Sequence, residues 1–317
     1  MVDIIGKRYW YFLLSLLVIV PGLIAMGIHY AEFGVPFKLA IDFTGGTNWE
    51  LTNINKQPTT QQVQAIFVTQ GIHDAIPQPV QVNGQQGVLI SSSEVTPQAK
   101  VAIEPQLKKL LGNYTEVSFD SAGPEIGAEV SQRAAGAVVL ASIAIILYLT
   151  FAFRKVPQPF RYGVAAIIAM IHDVLVVLGT AAIFGLLFGW EVDSLFLTAL
   201  LTVIGFSVHD TIVVFDRIRE NMSRMRGLRF ETVVNHSILQ TLDRSINTQL
   251  TVLFTLTALA LFGGVTTRQF VITLLIGILS GTYSSIFNAS PILVVWENGE
   301  LGTFFHKVFR REEKVTA

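Results

Sequence analysis

The sequence predicts a polytopic α-helical membrane protein with six transmembrane helices and one extracytoplasmic α+β domain between the first and second helices. Hydrophobic residues form 51% of the 317-residue chain and charged residues only 14%, whereas soluble domains carry about 25% charged residues. The mean hydropathy is +0.54. Runs of about 20 mostly apolar residues can cross a bilayer. Six such runs occur, at about 9–30, 132–153, 162–188, 194–216, 242–264 and 269–296.

The first apolar run could also be read as a secretory signal, because Lys7 and Arg8 precede it. A cleaved signal has a short apolar core followed by small residues at the cleavage site. No such site follows this run, and the run from Tyr9 to Ile28 is long enough to span the bilayer. We therefore expect an uncleaved membrane anchor.

The distribution of Lys and Arg predicts the orientation. If the N-terminus is cytoplasmic, fifteen of the 22 Lys and Arg residues lie on the cytoplasmic side, as the positive-inside rule requires. Both termini are then cytoplasmic. The expected organisation is an N-terminus with the first helix at 1–31, an extracytoplasmic domain at 32–130, a five-helix bundle at 131–297 with a short cytoplasmic loop at about 217–241, and a cytoplasmic tail at 298–317.

The composition argues against several classes of function. A net charge of −1 argues against a nucleic-acid partner held by bulk charge. The chain has no cysteine, which excludes disulfides and thiolate metal sites. No His and carboxylate pair has the spacing of a metal site, and there is no Walker loop, nucleophile elbow or metalloprotease helix. We therefore expect no cofactor, no metal and no enzymatic activity.

The polar segment after the first span reads as strand, helix, strand, strand, helix, strand. Apolar residues at helical spacing predict the helices, and Asn83-Gly84 suits the tight turn of a hairpin. This order is that of the ferredoxin-like fold, which indicates little about function by itself. The predicted strands lie at 48–51, 80–82, 88–90 and 115–119, and the predicted helices at about 59–70 and 97–111.

Asp210 is the most informative residue, because it is a carboxylate inside the fourth apolar run. It lies about seven residues from the cytoplasmic end of the span, or roughly 10 Å deep at 1.5 Å per residue. Acids inside spans are costly and usually serve ion or proton traffic within a bundle. The alternative is a structural acid that is hydrogen-bonded to Ser207 or Thr211, which lie within one helical turn.

Arg244 begins a polar stripe on the fifth span that could meet Asp210. Such a stripe is expected to point into a bundle. Because Arg stays protonated, Arg244 would act as a fixed counter-charge. Two alternatives remain open, in which Arg244 extends to lipid headgroups or pairs with Asp243. The stripe consists of Arg244, Asn247, Thr248, Thr251 and Thr255.

His172 and Asp173 occupy the middle of the third span. Adjacent residues point about 100° apart on a helix, so both cannot face the same neighbour. Asp173 has two interpretations, a member of a proton relay or a structural acid bonded to a neighbouring helix. His172 and His209 are expected to be packed or hydrogen-bonded rather than to bind a ligand.

Four motifs resemble those of a known family. Two of them flank the polar segment, one closes the fourth span and one opens the fifth, so the match covers nearly the whole chain in order. On these motifs the chain resembles the SecF family of protein translocase subunits, which act with SecD. SecD is less similar, since it typically has a larger external region and an Asp-Ala-Asn sequence at the fourth-span site. The motifs are Asp42-Phe43-Thr44-Gly45-Gly46, Gly123-Pro124-Glu125-Ile126-Gly127, the segment from Ser207 to Asn221, and Arg244-Ser245-Ile246-Asn247-Thr248.

The resemblance implies a function in protein export. SecD and SecF form a complex similar to the RND transporters, which uses the proton gradient to help a secreted polypeptide through the SecYEG channel. The implied partners are SecD, SecYEG, YajC, YidC, the unfolded polypeptide, protons and membrane lipids. The implied location is the bacterial or archaeal cytoplasmic membrane. Asp210 carries over as the proton-pathway acid and Arg244 as its partner, and the secondary candidates are Asp173, His209, Asn247 and Thr248.

One departure and two other functions bear on this interpretation. Position 209 is commonly Asn in the family, whereas this chain has His209. An RND-like transporter of small molecules or lipids is expected to have two similar halves, but this chain has one. An assembly scaffold is expected to tolerate neutral replacement of Asp210 and Arg244.

Overall fold

The computed structural model of the protein describes residues 2–82, 84–154 and 158–300. Its contacts divide into two units, of which the first comprises the chain up to Lys38 and from Val138 onward, and the second comprises Leu39–Ala137. The helices are α1 (Arg8–Phe33), α2 (Ile41–Thr44), α3 (Thr60–Val68), α4 (Pro97–Leu111), α5 (Pro124–Ala152), α6 (Pro159–Phe188), α7 (Ser194–Arg224), α8 (Phe230–Phe262), α9 (Val265–Ser284) and α10 (Ser290–Glu297). The strands are β1 (Gly46–Thr52), β2 (Ile76–Val82), β3 (Gln85–Ser92) and β4 (Thr115–Ala122).

Six stretches of the described residues are helical, long and apolar enough to cross a membrane. This number confirms the six predicted spans. A short 3-10 turn, Ile5–Lys7, extends α1 at its start, and a π-helical turn, Ser285–Ala289, joins α9 to α10. The six stretches are Ile5–Phe33, Pro124–Ala152, Pro159–Phe188, Ser194–Arg224, Phe230–Phe262 and Thr267–Glu297.

Two of these helices extend beyond their apolar parts, so the segment predicted as a loop at about 217–241 is largely helical. α7 continues to Arg224, and α8 begins at Phe230. Hydropathy finds only the apolar part of a helix and therefore misses a charged extension. Pairs one turn apart stabilise the end of α7, since Glu220 accepts from Arg217 at 2.7 Å and from Arg224 at 2.6 Å.

Small residues let the membrane helices approach closely. A Cβ on Gly277 of α9 would lie 2.2 Å from a methyl carbon of Val203 on α7, and a Cβ on Gly281 would lie 3.3 Å from Ser207 Cα. The Gly-x-x-x-Gly spacing of Gly277 and Gly281 predicts such close packing, and the structure confirms it. α7 and α9 therefore lie against each other, and α6 and α8 each contact both of them.

The second unit contains a four-stranded antiparallel sheet with the strand order β2-β3-β1-β4. Trp49 of β1 lies opposite Ile90 of β3 and Phe119 of β4. With α3 after β1 and α4 after β3, this topology confirms the predicted ferredoxin-like fold. Asn83 of the predicted hairpin turn lies outside the described residues.

One face of this sheet and the apolar faces of α3 and α4 form the core of the second unit. Alternation along β1 puts Trp49 and Leu51 on the same face, and helical spacing puts Ile103 and Leu107 on one face of α4. All four side chains are fully buried. The domain thus has its own hydrophobic core.

Candidate functional site

Asp210 is buried on the face of α7 that packs against α8. The residue is 3% exposed. Gln249 of α8, also 3% exposed, donates a hydrogen bond from its amide nitrogen Nε2 to Asp210 Oδ2. This is the one side-chain hydrogen bond that the described residues make to the Asp210 carboxyl. Buried residues at helical spacing along α7, among them Val203, Ser207 and Val214, turn this face into the bundle.

The predicted contact between Asp210 and Arg244 is absent from this structure. Arg244 is exposed, and within the described parts of the chain no carboxylate lies in ion-pair distance of its guanidinium. The adjacent Asp243 is exposed as well and does not pair with Arg244. Asp210 meets an amide where the sequence suggested a cation.

The polar stripe of α8 also points away from this chain's bundle, contrary to the prediction. Helical spacing decides which residues share a face, but it does not decide which neighbour that face meets. α8 turns Ser245 and Gln249 toward the bundle, where both are buried. The stripe is exposed along its length, at Arg244, Asn247, Thr248, Thr251 and Thr255.

Asp173 lies at the centre of a cluster that joins three helices, and it is fully buried. Ser207 of α7 and Ser280 and Ser284 of α9 each donate a hydroxyl hydrogen bond to its carboxyl oxygens at 2.6 Å. His172 Nδ1 lies 3.0 Å from Asp173 Oδ1. We call Asp173 and these three serines the serine cluster. It favours the structural interpretation of Asp173, because the carboxyl ties α6 to α7 and α9.

The hydroxyl groups near Asp210 in sequence bond elsewhere. Ser207 Oγ donates to Asp173, and Thr211 Oγ1 donates to the backbone oxygen of Ser207 at 2.9 Å. The alternative in which Asp210 is satisfied by Ser207 or Thr211 is therefore wrong.

The two candidate histidines, His172 and His209, differ in burial. His172 is 8% exposed and stacks on Tyr283, with ring centroids 6.1 Å apart. His209 is exposed in this chain and points away from the buried face that bears Asp210. Among the described residues, no group of three or more His, Cys, Asp or Glu side chains is arranged to hold a metal ion.

Two of the family motifs meet in the second unit. Gly45 has φ +73°, and a Cβ there would lie 2.7 Å from Pro124 Cα. A Cβ on Gly127 would lie 2.7 Å from the backbone nitrogen of Gly45. Ser131 Oγ donates to the backbone oxygen of Phe43 at 3.1 Å. Only glycine fits both the left-handed backbone at Gly45 and this close crossing.

The other motif residues surround this crossing. Asp42 lies in the short helix α2. Gly46 begins β1 with φ +125°, and a Cβ there would lie 2.8 Å from the backbone oxygen of Ser92. Gly123 precedes α5, and a Cβ there would lie 3.2 Å from a carboxyl oxygen of Glu94. The motifs therefore shape the backbone where the chain enters and leaves the sheet domain.

Burial shifts two titratable groups in the sheet domain. It raises the pKa of Tyr114 to about 12, and the charges of Glu104 and Glu116 act in the same direction. Burial also raises the pKa of Glu50, with a further contribution from Asp120. Both shifts follow from the packing of the domain.

Comparison with known proteins decides the family. The family described as "Protein export membrane protein SecD/SecF, C-terminal" matches residues 102–299. The protein translocase subunit SecF of Thermobaculum terrenum is 51% identical over 100% of this chain and 99% of its own length. The chain belongs to the SecF family of protein translocase subunits. SecF of Anaerolinea thermophila is 52% identical over 97% of this chain and 98% of its own length.

Longer relatives carry a SecF part within a SecDF chain. The crystal structure of SecDF, a translocon-associated membrane protein from Thermus thermophilus, matches with a TM-score of 0.76 and 32% identity over 94% of this chain and 39% of that chain. SecDF of Bacillus subtilis is 34% identical over 94% of this chain and 38% of its own length. This chain therefore spans about two fifths of the SecDF proteins. These relatives imply that this multi-pass membrane protein forms a complex with a SecD partner.

The structure adds three residues that the sequence argument missed. Gln249 bonds to Asp210, and Ser280 and Ser284 bond to Asp173. A signal was present for each, since Gln249 is a polar residue on the face of α8 opposite the stripe, and the two serines are four residues apart in an apolar run. Such polar residues in spans usually bond across helices.

Proposed function

We propose that this chain, in complex with SecD, uses the proton motive force to assist late steps of Sec-dependent protein translocation across a bacterial or archaeal cytoplasmic membrane. SecYEG is the channel in this proposal, YajC and YidC are further partners, and the cargo is an unfolded polypeptide. Both termini lie in the cytoplasm and the sheet domain lies outside it. The role is that of a transport subunit, and the sequence offers no catalytic motif.

The surroundings of Asp210 carry this proposal. An ionised carboxyl inside a membrane span is costly by several kcal/mol, and a single amide donor compensates for only part of the water that the carboxyl loses. A proton removes the charge and most of this penalty. Asp210 is therefore suited to bind and release protons as the supply of protons changes.

The exposed stripe of α8 supports a contact with SecD. An Arg inside a span is rare and usually pairs within a bundle, yet Arg244 has no such pair among the described residues. In the proposal SecD covers this face of α8, and Arg244 is the fixed positive charge of the proton pathway. Asn247 and Thr248, on the same face, are secondary members.

The membrane potential is large enough to drive such a site. A charge that crosses the full potential gains about 2.3 kcal/mol per 100 mV. Protonation and ionisation of Asp210 then favour different arrangements of the helices. In the proposal this movement reaches the sheet domain through α1 and α5, and the domain holds or releases the emerging polypeptide. A crosslink between domain and membrane helices should abolish gradient-driven export, and export that persists in the crosslinked protein would contradict this step.

The test is export of a secreted protein into inverted membrane vesicles that contain the complete SecD complex, with and without a proton gradient. Asp210→Asn and Arg244→Met should lose the gradient-dependent part of export and keep the rest. Matched controls are Asp216→Asn, an exposed acid near the end of the same helix that pairs with Arg219 at 2.5 Å, and Asp243→Asn beside Arg244. All four variants must first be shown to insert and to bind SecD. Unchanged gradient-dependent export in Asp210→Asn would reject the proposal in favour of a scaffold.

A further inference from the structure

Gln249 has one buried polar atom without a partner. Its amide nitrogen donates to Asp210 Oδ2, but its amide oxygen, Oε1, has no hydrogen-bond partner among the described residues. Buried polar atoms in proteins are nearly always hydrogen-bonded. An acceptor left alone beside a titratable acid therefore calls for a physical reason.

The protonation state of Asp210 decides whether this oxygen has a donor nearby. An ionised carboxyl only accepts hydrogen bonds, whereas a protonated carboxyl has one O–H donor as well. A primary amide has both donors and an acceptor. The carboxyl and the carboxamide are planar groups of the same shape, so they can pair edge to edge. In that pair Gln249 Nε2 donates to the acid, and the acid O–H donates to Gln249 Oε1.

We propose that Gln249 is the positioning residue that recognises the protonated form of Asp210. Ionised Asp210 uses only the N–H of Gln249 and leaves Oε1 unsatisfied. Neutral Asp210 satisfies both ends of the amide. This inference rests on the proposed function, because it assigns a state-selective partner to the same proton-binding acid.

Arg244 has the opposite preference. Its guanidinium has donors and no acceptor, so it stabilises only the ionised carboxyl. Arg244 and Gln249 are five residues apart, which is about 140° around an α-helix and about 7.5 Å along it. They cannot both meet Asp210 in one arrangement of α7 and α8. A change of protonation at Asp210 is thereby coupled to a rotation or shift of α8. Ionisation moves Gln249 away from Asp210 and Arg244 toward it, and protonation reverses this movement.

The other titratable groups near Asp210 do not recognise its protonated form as Gln249 does. Asp173 on α6 and His209 on α7 are the titratable side chains near Asp210 on those helices. The serine cluster holds Asp173 in place, and His209 is exposed. On α8, Arg244 and Asp243 point outward. Gln249 is the described side chain that reaches the carboxyl itself.

Infrared difference spectroscopy tests the inference on the complete SecD complex in liposomes, as the pH is stepped across the titration of Asp210. The carbonyl band of the protonated acid is assigned to Asp210 by its absence in Asp210→Asn. In Gln249→Leu this band should shift to higher frequency, because the acid loses both hydrogen bonds. The matched control is Gln240→Leu, since Gln240 also lies on α8 and bonds to Asn221 of α7 at 2.9 Å. It should leave the band unchanged.

A second measurement needs no substitution of Gln249. With ¹³C in the side-chain amide of all glutamines, one glutamine carbonyl band of the native chain should shift as Asp210 takes up its proton, and this shift should vanish in Asp210→Asn. Two results would overturn the inference and leave the proposed function intact. In the first, Asp210 titrates but no glutamine band shifts. In the second, the acid band is unchanged in Gln249→Leu. Absence of any titrating Asp210 band would instead reject both.

Discussion

Asp173 and Asp210 are two carboxylates buried in the same helix bundle, and they have opposite surroundings. Asp173 receives three serine hydroxyls at 2.6 Å and lies 3.0 Å from His172. Asp210 receives one amide hydrogen bond, from Gln249. Hydrogen bonds from protein groups can replace the water that a buried carboxyl loses. Burial is thus common to both, and the number of donors separates the anchor Asp173 from Asp210, the group that we propose changes its charge and its partner.

The largest effect on folding is expected at the anchor. Asp173→Ala removes the shared acceptor of three serine hydroxyls, and a hydrogen bond to a charged group is worth roughly 1.5–3 kcal/mol. The hydroxyls can turn partly to backbone oxygens, as Ser284 Oγ already does toward Gly281 at 3.2 Å. We expect a loss of stability on the order of 3 kcal/mol, measured by thermal unfolding of the SecD complex in detergent. A variant as stable as the native chain would show that Asp173 does not stabilise the packing of α6 against α7 and α9.

Asp210→Asn should have little effect on stability and a large effect on gradient-dependent export. An Asn side chain keeps an oxygen that can accept from Gln249 and carries no charge, so we expect a change in stability within about 1 kcal/mol. Gradient-dependent export should nevertheless be lost. Unfolding and export are measured on the same preparation, and Asp173→Asn serves as the comparison. If Asp210→Asn lowers the stability as much as Asp173→Asn does, the distinction between the two carboxylates fails.

A smaller effect is expected when one donor of the serine cluster is removed. Ser280→Ala should destabilise the complex by about 1–2 kcal/mol, the range for one hydrogen bond to a charged group. Ser142→Ala is the control, because Ser142 Oγ of α5 donates only to the backbone oxygen of Val138 on its own helix. Gradient-dependent export per folded complex should be unchanged in both variants. A large export defect in Ser280→Ala at normal stability would assign Asp173 to the proton relay.

The smallest effect concerns a buried polar atom of the sheet domain. The Tyr114 hydroxyl has no partner among the described residues, so Tyr114→Phe should change the stability of the sheet domain at pH 7 by less than about 1 kcal/mol. Burial raises the pKa of Tyr114 to about 12, above the value of about 10 in an unfolded chain. The neutral phenol therefore stabilises the native chain below pH 10, and this contribution falls as the pH rises from about 10 to about 12.

Alkaline unfolding of the native chain and Tyr114→Phe, followed by absorbance of ionised tyrosine, checks this pH dependence. The native chain should lose stability more steeply than the variant above pH 10. Equal slopes would show that Tyr114 is accessible to water when the domain is folded.

Much of the fold could be predicted from the sequence because it depends on local patterns. Run length predicts the spans. Apolar alternation and turn residues predict the order of strands and helices, and the observed sheet topology confirms this order. The burial of Asp210 also follows from its place in an apolar run. Gly277 and Gly281 indicated a close helix contact, which the structure confirms.

The partners within the bundle could not be predicted in the same way. Which neighbour a helix face meets depends on the rotation and register of whole helices, and no local spacing encodes these. Arg244 and Gln249 are both polar, but the rotation of α8 buries only Gln249. Likewise Ser207 seemed suited to Asp210 by spacing, yet it bonds to Asp173 on another helix.

The most direct test of the central claim is the number of protons that the complex binds. Liposomes containing the native chain with SecD are compared with the same complex bearing Asp210→Asn, and proton uptake after a drop in pH is followed with a pH-sensitive dye. The pH drop stays above about 6, where exposed carboxyls remain ionised. The account predicts up to one proton fewer per complex in Asp210→Asn and no difference for the control Asp216→Asn. Equal uptake by the native and Asp210→Asn complexes would contradict it, because Asp210 would then not exchange protons.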